Sequence, residues 1–287
     1  MSALGVSVVQ YAPHGTASEN LEAMEPWVGA AASAGSHLVV FPEYSHAFSP
    51  GLGEKWAAHA ETDDGEFVQG LVSLSQRHGG IVIIAGALLR SDSDELPANV
   101  QIAVGPEGIL ARAEKIHLYD AFGASESTWI RPGNLSSPQV VTIAGMSVGM
   151  MACYDLRFPE VARRLVDAGA EVIVVPAQWV PGPHKAHHFD TLLAARAIET
   201  QCYVVASDHP VPHGVGHSQC VDPRGIVQVK AGESPDILHT TLEPDVLRDV
   251  RESNPMSQAR RFEVTELYTE GVEKFCADLR GIRTLQG

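Results

Sequence analysis

The sequence predicts an α/β protein, and three observations carry that expectation. Short β-branched apolar runs alternate with segments of helical periodicity along most of the chain. One run, Ile81–Leu89, is apolar throughout, as a strand buried on both faces requires. Residues with acid–base or nucleophilic chemistry stand at the C-terminal ends of such runs, where open α/β sheets present their sites.

In chain order, Gly5–Tyr11 reads as a short apolar strand. Ser18-Glu19-Asn20 then offers a cap for a helix running to about Ala34 and stopped by Gly35. His37–Phe41 is a β-branched strand that delivers Glu43 at its end. Glu66–His78 reads as a helix with Phe67, Leu71 and Leu74 on one face and Gly79-Gly80 as its stop. After the Ile81–Leu89 strand, Asn99–Val104 and Ala111–Ile116 pair around a Gly105-Pro106-Glu107-Gly108 turn. The second half repeats the alternation. Val140–Ile143 and Met146–Ala152 flank an Ala144-Gly145 turn, and a helix-like run begins after Cys153. Pro159–Ala168 has Val161, Leu165 and Ala168 at core spacing. Val172–Val175 is a strand, Phe189–Thr200 a helix and Tyr203–Ala206 a strand, and a hairpin turns at Asp222-Pro223-Arg224-Gly225.

The segment Gly35–Glu43 aligns without gaps on Gly169–Ala177, each a helix stop, a buried strand and a strand-ending residue pair with Pro. Internal duplication and the general likeness of any two α/β units both account for this. No linker or charge block cuts the chain, so residues 1–255 read as one domain and residues 256–287 as a C-terminal helical tail. In the tail Val264, Leu267, Tyr268, Val272, Phe275 and Leu279 recur at helical spacing. Such a helix packs on its own domain or on a second subunit; the second is preferred, because the tail follows a complete α/β unit.

The chain has 287 residues, 45% of them hydrophobic, which supports a sizeable core. Its formal net charge of −15 argues against nucleic acid or an anionic membrane as partner. The four cysteines (Cys153, Cys202, Cys220 and Cys276) show no CxxC spacing, so a zinc or thioredoxin-like motif is not expected, and a reducing cytoplasm is the default. The first residues lack a basic region and a long apolar core, so no signal peptide is expected, and no run approaches the roughly 18 apolar residues of a membrane span. A soluble cytoplasmic protein is expected.

Cys153, in Met150-Met151-Ala152-Cys153-Tyr154-Asp155, stands where a strand gives way to a helix-like run. A thiol beside a helix N-terminus has its pKa lowered, which favours thiolate. A buried structural cysteine is the alternative. A neutral thiol needs a base, and Glu43 in Phe41-Pro42-Glu43-Tyr44 is the candidate; otherwise it is a strand-end carboxylate paired with a surface lysine. Attack on an amide carbonyl develops an oxyanion, for which Lys115 and the backbone N–H of Tyr154 are candidate donors. Glu126 follows on a loop and has the position to orient Lys115 or a leaving amine; a plain surface carboxylate is the alternative. Trp179, after the Val172–Val175 strand, is expected to line the pocket or to pack in the core. His184, His187 and His188 have helical metal-ligand spacing, but a polar loop beside the pocket is preferred to a metal site.

Together these segments resemble the nitrilase superfamily, the carbon–nitrogen hydrolases. The resemblance rests on Phe41-Pro42-Glu43, on Lys115-Ile116-His117-Leu118-Tyr119-Asp120 with Glu126-Ser127 and Pro132-Gly133, and on Cys153-Tyr154-Asp155-Leu156-Arg157-Phe158-Pro159-Glu160. Arg196-Ala197-Ile198-Glu199, Gly216-His217-Ser218 and Val221-Asp222-Pro223-Arg224-Gly225 continue it in order. It implies a four-layer αββα sandwich, a Glu43–Lys115–Cys153 triad with Glu126 as second glutamate, no metal and no organic cofactor, and a homodimer or larger assembly. It implies hydrolysis of a small linear amide through a cysteine thioester, with water as co-substrate. N-carbamoyl compounds and nitriles are the alternatives within that chemistry, and a non-catalytic binding or scaffold protein is the alternative outside it. Thr200 stands where the family often has Asn, which puts one supporting hydrogen bond in doubt, and the tail is longer than the family leads one to expect.

Overall fold

A computed structural model describes residues 3–48, 54–91, 95–136 and 138–266. The chain divides into two compact units, Met1–Pro255 and Met256–Gly287. The first unit holds twelve strands among the described residues: β1 Leu4–Gln10, β2 Leu38–Val40, β3 Val82–Leu89, β4 Ala98–Gly105, β5 Gly108–Glu114, β6 Val140–Ile143, β7 Met146–Met150, β8 Val172–Pro176, β9 Tyr203–Ser207, β10 Gln219–Val221, β11 Val227–Lys230 and β12 Asp236–Leu242. Its helices are α1 Ala17–Ser33, α2 Glu54–Ala57, α3 Glu66–Arg77, α4 Pro159–Asp167, α5 Lys185–Thr200 and α6 Pro244–Ser253.

The strands form two six-stranded sheets, ordered β12-β1-β2-β3-β4-β5 and β11-β10-β9-β8-β7-β6. In each, three parallel strands sit at the centre: β1, β2 and β3 in the first, β7, β8 and β9 in the second. Each trio is flanked by two antiparallel strands on the side of its last member and one on the side of its first. The sheets therefore repeat one topology. β2 and β8, which carry the two segments that align in the sequence, occupy the same central place.

Strand alternation sorts the side chains into layers. Val6, Val8, Leu38, Val40 and Ile84 from the first sheet meet Val148, Met150, Val172, Val174 and Val205 from the second. The opposite faces meet helices. Val9, Val39, Phe41 and Ile83 pack on Met24, Val28, Phe67 and Leu71 of α1 and α3. Ile173, Val175 and Val204 pack on Val161, Leu165, Leu193 and Ala197 of α4 and α5. The result is an αββα sandwich. Each fully buried aliphatic side chain contributes about 1.5–3 kcal/mol relative to exposure, so the paired inner faces fix the register on which the site depends.

Several sequence expectations are corrected. The α1 cap is Thr16, not the Ser18 segment: Thr16 Oγ1 accepts from Glu19 N, and Glu19 Oε2 accepts from Thr16 N at 2.8 Å, a reciprocal capping box. α5 starts at Lys185, four residues before the expected Phe189, because its polar first turn carries no apolar period. The run after Cys153 is a five-residue 3-10 turn, Cys153–Arg157, followed by α4 with Pro159 at its start. β12 and α6 had no clear signal. β12 is half exposed with threonines and a histidine, and it gains its place by pairing with β1 over its full length.

In the second unit Met256–Ala259 forms one helical turn, α7, and residues 260–266 have no regular structure. The tail helix expected from Val264 to Leu279 lies, from residue 267 on, outside the described residues. Among the described residues no helix is long and apolar enough to cross a membrane.

Candidate active site

Glu43 lies three residues beyond β2, in a segment pressed against β3. A Cβ added to Gly86 would stand 2.7 Å from both the Glu43 Cα and the Tyr44 N, so only glycine permits this approach. Lys115 follows β5 directly and is tied to β4 by its own N–H, which donates to the Asn99 carbonyl at 2.8 Å. Gly133 N donates to the Lys115 carbonyl at 2.8 Å and closes the other side. Glu126 opens a short 3-10 turn, Glu126–Thr128. Cys153 opens the 3-10 turn after β7 with φ +40°, a left-handed conformation that a cysteine adopts only when its surroundings impose it.

The turn is held by Asp155, which the sequence motif contained without a role. Its carboxylate accepts from Ile116 N at 3.3 Å, His117 N at 2.9 Å and Ala152 N at 3.4 Å. One buried side chain thus pins the segment that carries Lys115 to the turn that carries Cys153.

Lys115 Nζ bridges both glutamates, at 2.9 Å from Glu43 Oε1 and 2.9 Å from Glu126 Oε2. Side-chain exposure is 2% for Lys115, 1% for Glu43 and 3% for Glu126, so these are buried ion pairs. Other donors also reach both carboxylates. Glu43 accepts from Asn99 Nδ2 at 2.7 Å and from Gln178 N at 2.8 Å. Glu126 accepts from Tyr44 Oη at 2.5 Å and from Tyr119 N at 2.6 Å. Asn99 is itself oriented by Gln101, whose Nε2 donates to Asn99 Oδ1 at 2.9 Å. The Cys153 thiol donates to the Gln178 carbonyl at 3.5 Å, so Gln178 holds both the thiol and Glu43.

Electrostatics separates the two glutamates. Burial, outweighing the nearby Lys115, raises the Glu43 pKa above the ordinary carboxylate value. Glu126 is lowered: burial opposes this, but Lys115, Tyr44 and the Tyr119 N–H together stabilise its ionised form. Lys115 is held well above its ordinary value, because Glu126 and Glu43 outweigh burial. The Cys153 thiol is pushed well up by burial and by Glu43, with Lys115 opposing. This corrects the expectation of a thiol lowered by a helix N-terminus. A short 3-10 turn in a buried site beside a carboxylate does not supply enough positive potential. Burial and the neighbouring Glu43 both favour the neutral thiol over the thiolate.

Glu43, Lys115, Glu126, Cys153, Tyr154 and Trp179, the six residues singled out in the sequence, line one cavity. Tyr44, Tyr119, Arg157, Gln178, Val180 and Lys185 complete it. Trp179 is 3% exposed; its N–H donates to Asp208 Oδ1 at 2.7 Å and its Nε1 to the Lys185 carbonyl at 2.9 Å. Tyr44, Asn99, Asp155, Arg157 and Lys185 were not assigned from the sequence. Cys202 and Cys220 are buried core thiols. Among the described residues no three His, Cys, Asp or Glu side chains gather as a metal ion requires; His188 instead lies 3.4 Å from Arg157 Nη2.

The carbon–nitrogen hydrolase family pattern matches residues 5–252. A deaminated glutathione amidase of Escherichia coli O157:H7 is 36% identical over 265 residues, covering 91% of this chain and 99% of that protein. The mouse deaminated glutathione amidase is 32% identical over 273 residues, covering 89% and 83%. Among solved structures, a CN-hydrolase superfamily protein of Xanthomonas campestris, with an arsenic adduct in its active site, superposes with a TM-score of 0.82 at 26% identity, covering 93% of this chain and 100% of that one. Saccharomyces cerevisiae Nit3, of branch 10 of the nitrilase superfamily, gives 0.78 at 25% identity, covering 91% and 97%. With the sandwich fold and the matched length, the chain belongs to the carbon–nitrogen hydrolases of the nitrilase superfamily and is an amidohydrolase that uses water on the carbon–nitrogen bond, other than a peptide bond, of a small molecule.

Proposed function

We propose that the protein hydrolyses a small linear acid amide, of the deaminated-glutathione kind, through a thioester on Cys153. The observation that carries this reading is the buried Lys115 bridging Glu43 and Glu126 in the cavity that also holds the Cys153 thiol. The acid-amide part rests on the relatives named deaminated glutathione amidase and on the cations Arg157 and Lys185 in the cavity.

In the proposed sequence Glu43 takes the thiol proton as Cys153 Sγ attacks the amide carbon. Its raised pKa brings it closer to the range where a general base exchanges protons efficiently. The oxyanion accepts from Lys115 Nζ and from the Tyr154 N–H, donors already oriented before attack. The C–N bond breaks as Glu43 returns the proton to the leaving nitrogen, and the acyl group stays on sulfur. Water then attacks the thioester and gives its proton to Glu43. The C–S bond breaks, the thiol regains that proton, and the carboxylic acid departs. Glu126 stays ionised, pairing with Lys115 and holding its ammonium through the cycle.

The chain is further proposed to act as a homodimer or larger assembly. An exposed apolar patch supports this: Ile198 on α5 is 52% exposed and Ile226 beside β11 is 59% exposed. The test of the function is steady-state release of ammonia or amine from a panel of ω-amides, simple amides, N-carbamoyl amino acids and nitriles. The reading expects turnover of an acid amide above the others. Preference for a carbamoyl compound or nitrile would replace the substrate class, and turnover by Cys153→Ala equal to wild type would reject the mechanism.

A further inference from the structure

Two cations in the cavity have no carboxylate partner among the described residues. Lys185 opens α5 and is 6% exposed. Its Nζ donates to Tyr119 Oη at 3.0 Å and stands over aromatic faces, 4.1 Å from the Phe122 ring centre and 5.0 Å from that of Tyr119. The Arg157 guanidinium lies 4.9 Å over the Trp179 ring, and its Nε is buried without a hydrogen-bond partner. Among the described residues neither group pairs with a carboxylate, although the chain carries 35 acidic residues against 20 lysines and arginines. The cavity's own carboxylates are committed to Lys115.

A buried ammonium loses hydration, and a phenol oxygen with ring faces replaces only part of it. Burial and the neighbouring Arg157 accordingly lower the Lys185 pKa. An incoming anion would reverse both effects. The position is also selective. Lys185, Tyr119, Val180 and Glu126, whose carboxylate is paired with Lys115, border both the inner cavity and an outer vestibule walled by Phe122–Ser125 and Pro181–Pro183. A group held there is next to the reacting carbon's cavity but outside the triad.

We propose that Lys185 is a specificity-determining residue whose ammonium receives a carboxylate of the substrate at the seam between cavity and vestibule, with the Arg157 guanidinium beside it. This deepens the amidase reading above and rests on it. A charge-assisted bond of this kind acts on ground-state binding, so it is read in KM rather than in kcat.

The experiment compares matched substrates with wild type, Lys185→Met and Lys185→Arg. One pair places the carboxylate on the acyl side, glutaric acid monoamide against pentanamide. The other places it on the leaving amine, butanoyl-glycine against butanoyl-glycinamide. Wild type is expected to prefer the carboxylate member of at least one pair. Lys185→Met should shrink that preference by about 10- to 100-fold, carried by KM, and Lys185→Arg should restore most of it. The pair that responds states which side Lys185 reads. An unchanged ratio in both pairs overturns the proposal, including the case where both members of a pair fall together, as general loss of structure would produce. If wild type turns over no member, the amidase reading fails separately, and calorimetric titration with glutarate decides the subsite. Binding to wild type that weakens at least about tenfold in Lys185→Met supports it; equal binding or none overturns it.

Discussion

Replacing Lys115 with methionine tests the electrostatic core of the site. The substitution nearly conserves volume, so packing loss is small. It removes the only group that pairs with both Glu43 and Glu126 among the described residues, and those carboxylates are 1% and 3% exposed. Breaking a buried ion pair from one side costs about 3–5 kcal/mol. For a domain of this size that lowers Tm by about 6–20 °C. The pH dependence has a defined sign. In wild type Glu126 is lowered, so its contribution is present above the unfolded carboxylate value and is lost as pH falls through the folded one. Without Lys115, burial and mutual repulsion raise both carboxylates. Their effect is then destabilising, and it grows as pH rises above the unfolded value. The deficit of Lys115→Met against wild type should therefore be largest near pH 8 and shrink toward pH 5, with a slope of at most about 1.4 kcal/mol per pH unit for each group that titrates. Thermal melts of both proteins at pH 5, 6.5 and 8 read it. A deficit under about 2 °C at pH 8, or one that grows toward pH 5, refutes the assignment of Lys115 as the counter-charge.

Three further perturbations follow from the same contacts. Glu43→Gln should cut amide turnover by about 10²–10⁴-fold, yet lower the pH midpoint of Cys153 alkylation by iodoacetamide, because the Glu43 charge helps hold the thiol up; a midpoint that rises contradicts the account. Gly86→Ala places a methyl 2.7 Å from the Glu43 and Tyr44 backbone, so Tm should fall by the equivalent of about 1–3 kcal/mol and kcat by about 10²-fold; wild-type values for both would show that the segment yields freely. Asp155→Ala leaves the Ile116 and His117 N–H groups without their acceptor, each a loss of about 1–3 kcal/mol, whereas Asp155→Asn keeps one oxygen and should melt between the two; equal melting of all three proteins would refute Asp155 as the tie.

The sequence was most legible where a polar residue stands against an apolar background. Glu43 and Cys153 each follow a β-branched or apolar run and Lys115 follows a strand of mixed polarity, and a strand end in an α/β sheet is an address in space as well as in sequence. Their convergence on one cavity needed the two sheets to stack, and the alternation of Val6, Val8, Val172 and Val174 already encoded that face. What the sequence did not disclose depends on distance. Asn99 donates to Glu43 across 56 residues and Tyr44 to Glu126 across 82, and neither pairing leaves a local pattern. The thiol's direction was misjudged for a related reason: helix-end potential can be read from a motif, whereas burial and the approach of Glu43 cannot. β12 escaped because its stability lies in the β1 ladder and not in its own half-exposed residues.

The central claim is that Cys153 carries the acyl group and Glu43 moves the proton. Intact-protein mass spectrometry of acid-quenched mixtures with an acid amide tests it most directly, using wild type, Cys153→Ala and Glu43→Gln. The account predicts an acyl adduct on wild type within the first turnover, none on Cys153→Ala, and slow or no adduct on Glu43→Gln. An adduct of the same mass on Cys153→Ala, or wild-type turnover by that variant, would contradict it.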